Sequence, residues 1–359
     1  MPPDYLKPHR VCLDASTACQ LRCPSCPTTT RTIKANLGSG TLKFYDFREF
    51  LQRNPHVSDI ELSNWGELFI NPDLLAILQY AHEQKVSLSA ENGVNFNHAS
   101  DEIIQALVKY GFQRMTISLD GVEQDTYVTY RRRGKVARVI ENIRLLNKYK
   151  QQYASELPRL RWQFIAFGHN QQDITPARAL ASELNMEFYL KLSWGDLYTE
   201  VFSPVTDKEL IRRETGLQVA DRKEYAKRYE KHYSGATCHQ LWLQPRINFD
   251  GRLLGCSINY WDDFGNVFDK GLNNCLSSDK MMRTKRVLLG QQEVDDDIPC
   301  KRCDILKERQ AAGNWVNEKD LIIEHQRQSK PRFSMASIMY RLTYRLRHWL
   351  KNERNKRDR

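Results

Sequence analysis

Hydrophobic and polar positions along this chain follow two alternating rhythms. Short apolar runs at 11–15, 59–63, 86–90, 114–118, 160–166 and 187–193 predict strands. Between them, segments such as 73–84, 101–110 and 136–149 repeat apolar residues at helical spacing. Strand–helix alternation argues for an α/β fold of parallel βαβ units, because a parallel pair needs a crossover long enough to hold a helix. Six units would build an open, partial (β/α)6 barrel. Chemistry in such barrels collects at the carboxy-terminal strand ends, and Cys19, Glu67, Asn92 and Asp120 are all expected to follow strands.

After about residue 203 the rhythm changes. The segment 206–235 reads as a charged, helix-prone linker, and 236–315 as a smaller second domain. Before them, 1–205 forms the barrel core, and 316–359 is a tail. A chain of 359 residues with 41% hydrophobic content can bury one large core plus such a domain. No run of about 18 apolar residues suggests a membrane span.

Charge sets the end of the chain apart. Residues 330–359 carry ten Lys or Arg against two acids, while the whole chain nets only +10. The body is therefore nearly neutral, which speaks against a nucleic-acid groove across it. In the tail Ile338, Leu342, Leu346, Trp349 and Leu350 recur at helical spacing among Arg341, Arg345, Arg347 and Lys351. A basic amphipathic helix of this kind can lie on an anionic membrane, dock on a partner protein, or pack back onto its own domain.

The nine cysteines carry the candidate chemistry. Cys19-Gln-Leu-Arg-Cys23-Pro-Ser-Cys26 has the spacing C-x3-C-x2-C, one thiolate short of a closed tetrahedral site. Thiolates select zinc or iron–sulfur clusters. A zinc knuckle would need completion by Cys12 or a distant His, whereas a [4Fe–4S] cluster on three thiolates keeps one iron open. Downstream, Cys238, Cys256 and the pair Cys300-Lys-Arg-Cys303 supply four more ligands. They fit a fully ligated iron–sulfur cluster or a four-cysteine zinc ribbon. Cys12 sits in an apolar run as a small buried hydrophobe. Cys275, between the downstream ligands, reads on its own as an inert thiol. Metal-like spacings and the lack of a signal peptide point away from disulfides, to a reducing, cytoplasmic setting.

The cysteine triplet resembles that of radical S-adenosylmethionine (SAM) enzymes, whose open iron binds SAM. Three further blocks carry the resemblance in the family's order. Trp65-Gly66-Glu67-Leu68 is similar to the "GGEP" turn, with Trp65 for the first Gly and Leu68 for the Pro. Asn92-Gly93 is similar to its "TNG". Ser118-Leu-Asp120-Gly121, then Tyr130-Arg131 and 139–146, are similar to its "SLDG…YR…ENI..L" stretch. The segment Asp250-Gly251-Arg-Leu-Leu-Gly-Cys256 resembles half of a SPASM or twitch domain, and the spacing is close to that of aminocyclitol dehydrogenases. No cysteine follows Cys303, which implies one auxiliary cluster of the shorter kind.

The resemblance implies a TIM-like partial barrel with a small carboxy-terminal iron–sulfur domain. It implies a SAM-binding [4Fe–4S] cluster on Cys19, Cys23 and Cys26, and a second [4Fe–4S] cluster on Cys238, Cys256, Cys300 and Cys303. Gly66 and Glu67 would meet the methionine end of SAM, Ser118 and Arg131 its carboxylate, and Asn92 or Asp120 its ribose. The aromatic that usually precedes the third cysteine is Ser25 here, which leaves the adenine contact open.

The implied activity is reductive cleavage of SAM to a 5′-deoxyadenosyl radical, fed by a reductant such as flavodoxin or ferredoxin. That radical would take hydrogen from a small polar substrate, a sugar or cyclitol, leading to dehydrogenation or, with Cys275 returning hydrogen, epimerisation. With Cys19 so near the start, no leader-binding domain is expected ahead of the barrel. Two other readings remain: a peptide or protein maturase, and a non-catalytic iron–sulfur or zinc module that contacts membrane or RNA.

Overall fold

The computed structural model describes residues 8–193, 202–230 and 232–329. The basic tail, and with it the predicted amphipathic helix, lies outside them. Contacts divide the chain into two compact units, Met1–Val316 and Asn317–Arg359. In the second unit, Glu318–Ser329 is helical. Among the described residues no helix is long and apolar enough to cross a membrane.

The first unit is built on one parallel sheet. Its strands are β1 (Arg10–Leu13), β2 (Asp59–Glu61), β3 (Ser87–Val94), β4 (Arg114–Ser118), β5 (Arg159–Ala166), β6 (Met186–Leu192) and β7 (Arg246–Ile247). The order across the sheet is β6-β5-β4-β3-β2-β1-β7, every neighbour parallel. This is the α/β fold that the alternation predicts, with the first six strands in sequence order. Crossover helices include Leu74–Glu83, Asp101–Lys109 and Val136–Gln152. The second of these starts where Ser100 accepts a hydrogen bond from the Ile103 amide at 3.3 Å. It buries Ile104, Leu107 and Val108 against the sheet side of the core. All four residues of β1 are buried, as in a strand covered on both faces.

Two features depart from the sequence expectation. A seventh strand, β7, pairs with β1 (Cys12 with Arg246, Leu13 with Ile247), so the downstream segment extends the barrel sheet itself. Two residues are too few to show a period. Second, Asn92 does not follow β3 but lies within it. The register shifts between Ala90 and Val94, and Gly93 takes φ +116°. The Asn92-Gly93 pair therefore makes an irregularity inside a strand that runs on to Val94.

Face alternation along β5 and β6 sorts their side chains. Trp162 and Phe164 contact Phe188 on the helix side, where Arg178 of helix Ile174–Glu183 covers the Phe188 ring at 4.8 Å. Gln163, Ile165, Tyr189 and Lys191 take the opposite, inner face.

Candidate functional site

The loop after β1 carries Cys19, Cys23 and Cys26. Backbone turns fold it on itself, with Cys26 N bonded to Cys23 O at 3.1 Å and Thr29 N to Cys26 O at 2.8 Å. Cys23 is buried in a cluster with Leu21, Tyr130, Ile165, Phe167 and Phe202, and Cys19 and Cys26 pack against that cluster. Polar donors reach the sulfurs from other loops. The Asn95 amide donates to Cys19 Sγ at 3.7 Å, and Arg131 Nη1 donates to Cys23 Sγ at 3.9 Å. Burial pushes the Cys19 thiol up to about 12, and the Glu67 carboxylate adds to the shift. Burial also raises Cys23, against the pull of Arg131. Thiols in an apolar shell with donors aimed at their sulfurs suit a bound cationic centre, since a coordinating thiol is deprotonated outright.

Gly66 and Glu67 hold this loop in place. A Cβ on Gly66 would stand 2.2 Å from Ser16 O and 2.8 Å from Ala18 O, so glycine is needed for the chain's own close approach. Beside it, Glu67 N donates to Ala18 O at 2.8 Å. The Glu67 carboxylate is buried and accepts from the backbone N–H of Asn95 at 2.7 Å and of Phe69 at 3.4 Å. Burial pushes that carboxyl up to about 7, while backbone donors favour the charged form. Its oxygens are thus taken up within the chain, and Glu67 knots the β2 and β3 ends to the cysteine loop.

At the end of β4, Asp120 is fully buried. One carboxylate oxygen accepts Ile165 N at 2.7 Å, and the other meets Arg131 Nε at 2.5 Å. Asp120 is therefore spent on orienting Arg131 rather than turned toward a ribose. Arg131 reaches both Asp120 and Cys23, so it links the β4 end to the cysteine loop. Ser118 lies on the inner face, where its hydroxyl accepts from Gln163 Nε2 at 3.4 Å. Asn92 is exposed, and its amide donates to Ser63 O at 2.9 Å. Ser25, in the place of the usual aromatic, shares a 2.7 Å hydrogen bond with the hydroxyl of Tyr130, whose ring packs on Phe167 and Phe202.

The downstream cysteines also converge. Cys256, Cys300 and Cys303 line a small apolar pocket with Leu241, Trp261 and Phe264. The Cys300 thiol is raised by burial and then by the charges of Cys256, Cys238 and Cys303. Arg309 acts the other way on Cys238, hydrogen-bonding the thiol. Cys275 is not with them. Its thiol is buried in helix Leu272–Leu276 against Gly265, among Lys270, Asp263 and Asp269 of its own segment. The structure does not bring it to the inner face. Among the described residues no three Cys, His, Asp or Glu side chains converge as the ligands of a single metal ion.

Sequence reasoning missed how the two cysteine sets are joined. Trp65 O accepts from Thr28 in the first loop, and its ring meets Tyr260 edge-on at 5.7 Å. Tyr260 meets Trp261 at 5.1 Å, and Trp261 Nε1 donates to Pro299 O, beside Cys300. The Trp65 departure from "GGEP" thus serves packing between the two segments. Arg246 on β7 was missed as well. It is fully buried, pairs with Asp14, and donates to Ser257 Oγ next to Cys256.

Residues 15–155 match the family described as the radical SAM superfamily. That segment carries a radical SAM domain. No curated protein matches its sequence significantly. Among solved structures it is similar to Streptococcus suis SuiB bound to S-adenosylmethionine, with TM-score 0.59 and 15% identity over 84% of this chain and 71% of that one. SuiB bound to precursor peptide SuiA gives TM-score 0.58 and 15% identity over 84% and 70%. Another SuiB chain is covered to only 66% of its length. Native anSMEcpe with bound AdoMet gives TM-score 0.56 and 15% identity over 82% of this chain and 86% of that one. At such identities these likenesses establish the radical SAM fold. The family carries a [4Fe–4S] cluster and SAM, and Cys19, Cys23 and Cys26 are the residues here whose donor set fits that cluster.

Proposed function

We propose that this radical SAM enzyme abstracts hydrogen from a small polar substrate, a sugar or cyclitol, and oxidises it. When bound, the cluster and SAM supply one electron and a 5′-deoxyadenosyl radical. The chain's own residues set the stage for that chemistry. Cys19, Cys23 and Cys26 would hold the cluster, with Asn95 orienting the Cys19 sulfur and Arg131 that of Cys23. Gly66 and Glu67 fix the loop that carries them. Ser118 and the Nη2 group of Arg131 would receive the SAM carboxylate in a charge-assisted hydrogen bond, since Arg131 Nε and Nη1 are turned to Asp120 and Cys23. Leu21, Phe167 and Phe202 cover Cys23, and Cys19 and Cys26 pack against the same cluster.

The observation that carries the oxidative reading is the apolar pocket lined by Cys256, Cys300 and Cys303, with Cys238 near enough to raise the Cys300 thiol. Four thiolates there would hold an auxiliary [4Fe–4S] cluster able to accept the second electron. Burial of Cys275 in its own segment favours oxidation over hydrogen return. Polar residues on the inner face of β4 to β6 favour a compact hydrophilic substrate. A peptide substrate is the second reading, supported by the fold shared with SuiB bound to precursor peptide SuiA. A flavodoxin or ferredoxin would supply the electron in either case.

Anaerobic reconstitution followed by turnover with candidate sugars in deuterated water tests this. The proposal expects a product lighter by two hydrogens and free of deuterium. Deuterium at the reacting carbon would mean hydrogen return. Turnover of a precursor peptide, with no sugar consumed, would replace the small-molecule reading.

A further inference from the structure

Three aromatic rings run in series between the two cysteine sets. Trp65, in the turn after β2, meets Tyr260 edge-on at 5.7 Å and 89°. Tyr260 meets Trp261 at 5.1 Å and 81°. Both separations lie within the range of aromatic contact. Each end of the series reaches a cysteine segment. The Trp65 carbonyl accepts from the hydroxyl of Thr28, which follows Cys26 and Pro27 in the first loop. Trp261 lines the downstream pocket with Cys256, Cys300 and Cys303, and its Nε1 donates to Pro299 O at 2.9 Å.

The ring surface of Trp65 is what the site uses. A buried tryptophan usually finds an acceptor for its N–H. Trp65 Nε1 is shielded and has none among the described residues. With Tyr260, the ring packs on Ile33 and Leu37 of helix Thr32–Leu37 and on Leu254, which also lines the downstream pocket. Attachment of the two segments does not need these rings. Arg246 donates to Ser63 O and to Ser257 Oγ, both at 3.2 Å, and Asn64 Nδ2 donates to Ser257 O at 3.4 Å. Those hydrogen bonds already tie the β2 turn to the Cys256 turn, so the ring contacts are an addition.

We infer that Trp65, Tyr260 and Trp261 form an electron path between the first and the downstream cysteine-bound centres. This rests on the auxiliary-cluster reading above. Touching unsaturated rings carry a tunnelling electron better than saturated side chains, because their π orbitals lower the barrier between donor and acceptor. The rings stay closed-shell throughout. One electron leaves the reduced downstream cluster as one enters the oxidised first cluster; no proton moves, and no bond forms or breaks. The electron that substrate oxidation leaves downstream would thereby return to the first site. Position 65, where the chain departs from "GGEP", supplies the ring nearest that site.

Contiguity alone does not establish coupling, so the test reads a rate. The anaerobically reconstituted protein, without SAM, is reduced substoichiometrically by a light-driven one-electron donor. Freeze-quench electron paramagnetic resonance then follows how fast the unpaired spin redistributes between the two clusters. The Cys256→Ala, Cys300→Ala double variant supplies the reference signal of the first cluster. Trp65→Leu and Tyr260→Leu should each slow redistribution several-fold, whereas Trp65→Phe and Tyr260→Phe, which keep a ring, should retain most of the rate. Iron content, melting midpoint and the SAM-induced change in the first signal should stay as in the parent. Unchanged redistribution in both leucine variants, with both clusters loaded, would overturn the path, as would slowing that only tracks lost iron. Half the expected iron and a single signal in the parent would overturn the auxiliary cluster itself, and the path with it. Tyr260→Leu against Tyr260→Phe decides the matter even if Trp65→Leu fails to fold.

Discussion

Arg246 and Asp14 form an ion pair with both side chains fully buried, which ties β7 to the end of β1. Arg246 also donates to Ser63 O and Ser257 Oγ, so one guanidinium joins the cysteine loop's strand, the β2 end and the Cys256 turn. Removing one partner of a buried pair strands the other charge, at a cost of about 3–5 kcal/mol. Arg246→Met should therefore lower the urea midpoint strongly, and the double change with Asp14→Leu should recover most of the loss. Equal destabilisation in the single and double variants would show that the pair itself does not matter.

Gly66→Ala makes a sharper local test. Its Cβ would fall 2.2 Å from the Ser16 carbonyl oxygen, and backbone cannot yield as a side chain can. Overpacking of this kind costs about 1–3 kcal/mol. The displaced segment leads directly to Cys19. The expected outcome is lower stability together with reduced iron loading at the first site. A variant of unchanged stability and iron content would mean that the Ser16–Ala18 contact is slack.

Glu67 predicts a pH dependence. Its folded carboxyl lies near 7, above the ordinary value of 4.5, so the native state holds a proton that the unfolded state has released across that window. The native state then binds more protons, and stability must fall as pH rises from about 4.5 to about 7, at most by some 1.4 kcal/mol per pH unit. Urea unfolding of the reduced protein at pH 5 and pH 7 should show this slope in the parent and lose it in Glu67→Gln. Parallel profiles would rule out Glu67 as the titrating group.

The downstream cysteines predict an iron count. Three and four thiolates for two cubane clusters give about eight irons per chain. Changing Cys256 and Cys300 together to Ala should leave about four. Four irons with stoichiometric zinc in the parent would make the second set a zinc site and remove the electron acceptor from the proposed oxidation.

The six barrel strands were legible because each buried run is long enough to show its character, and β4 matches its predicted bounds at both ends. The spacing of Cys19, Cys23 and Cys26 marked a thiolate-bearing segment, and the structure places all three in the loop after β1. Local pattern could not show the roles that depend on distant chain. Gly66 reads as a turn glycine, yet its constraint comes from Ser16, fifty residues earlier in the chain. Asp120 reads as a ligand-facing acid, but Arg131 and Ile165 N take both its oxygens. Lys191 sits in an ordinary alternating strand, and nothing in the alternation says that the inner face is polar. Arg246 lies in a two-residue strand after Pro245, too short for any period.

Cys19, Cys23 and Cys26 are the proposed holders of the cluster that cleaves SAM. The most direct test of that assignment is 5′-deoxyadenosine formation under anaerobic reducing conditions, measured for the parent and for Cys19→Ala, Cys23→Ala and Cys26→Ala, singly and together. Steady formation by the parent and none above background in any variant is the expected result. Continued cleavage of SAM by the triple variant would contradict it.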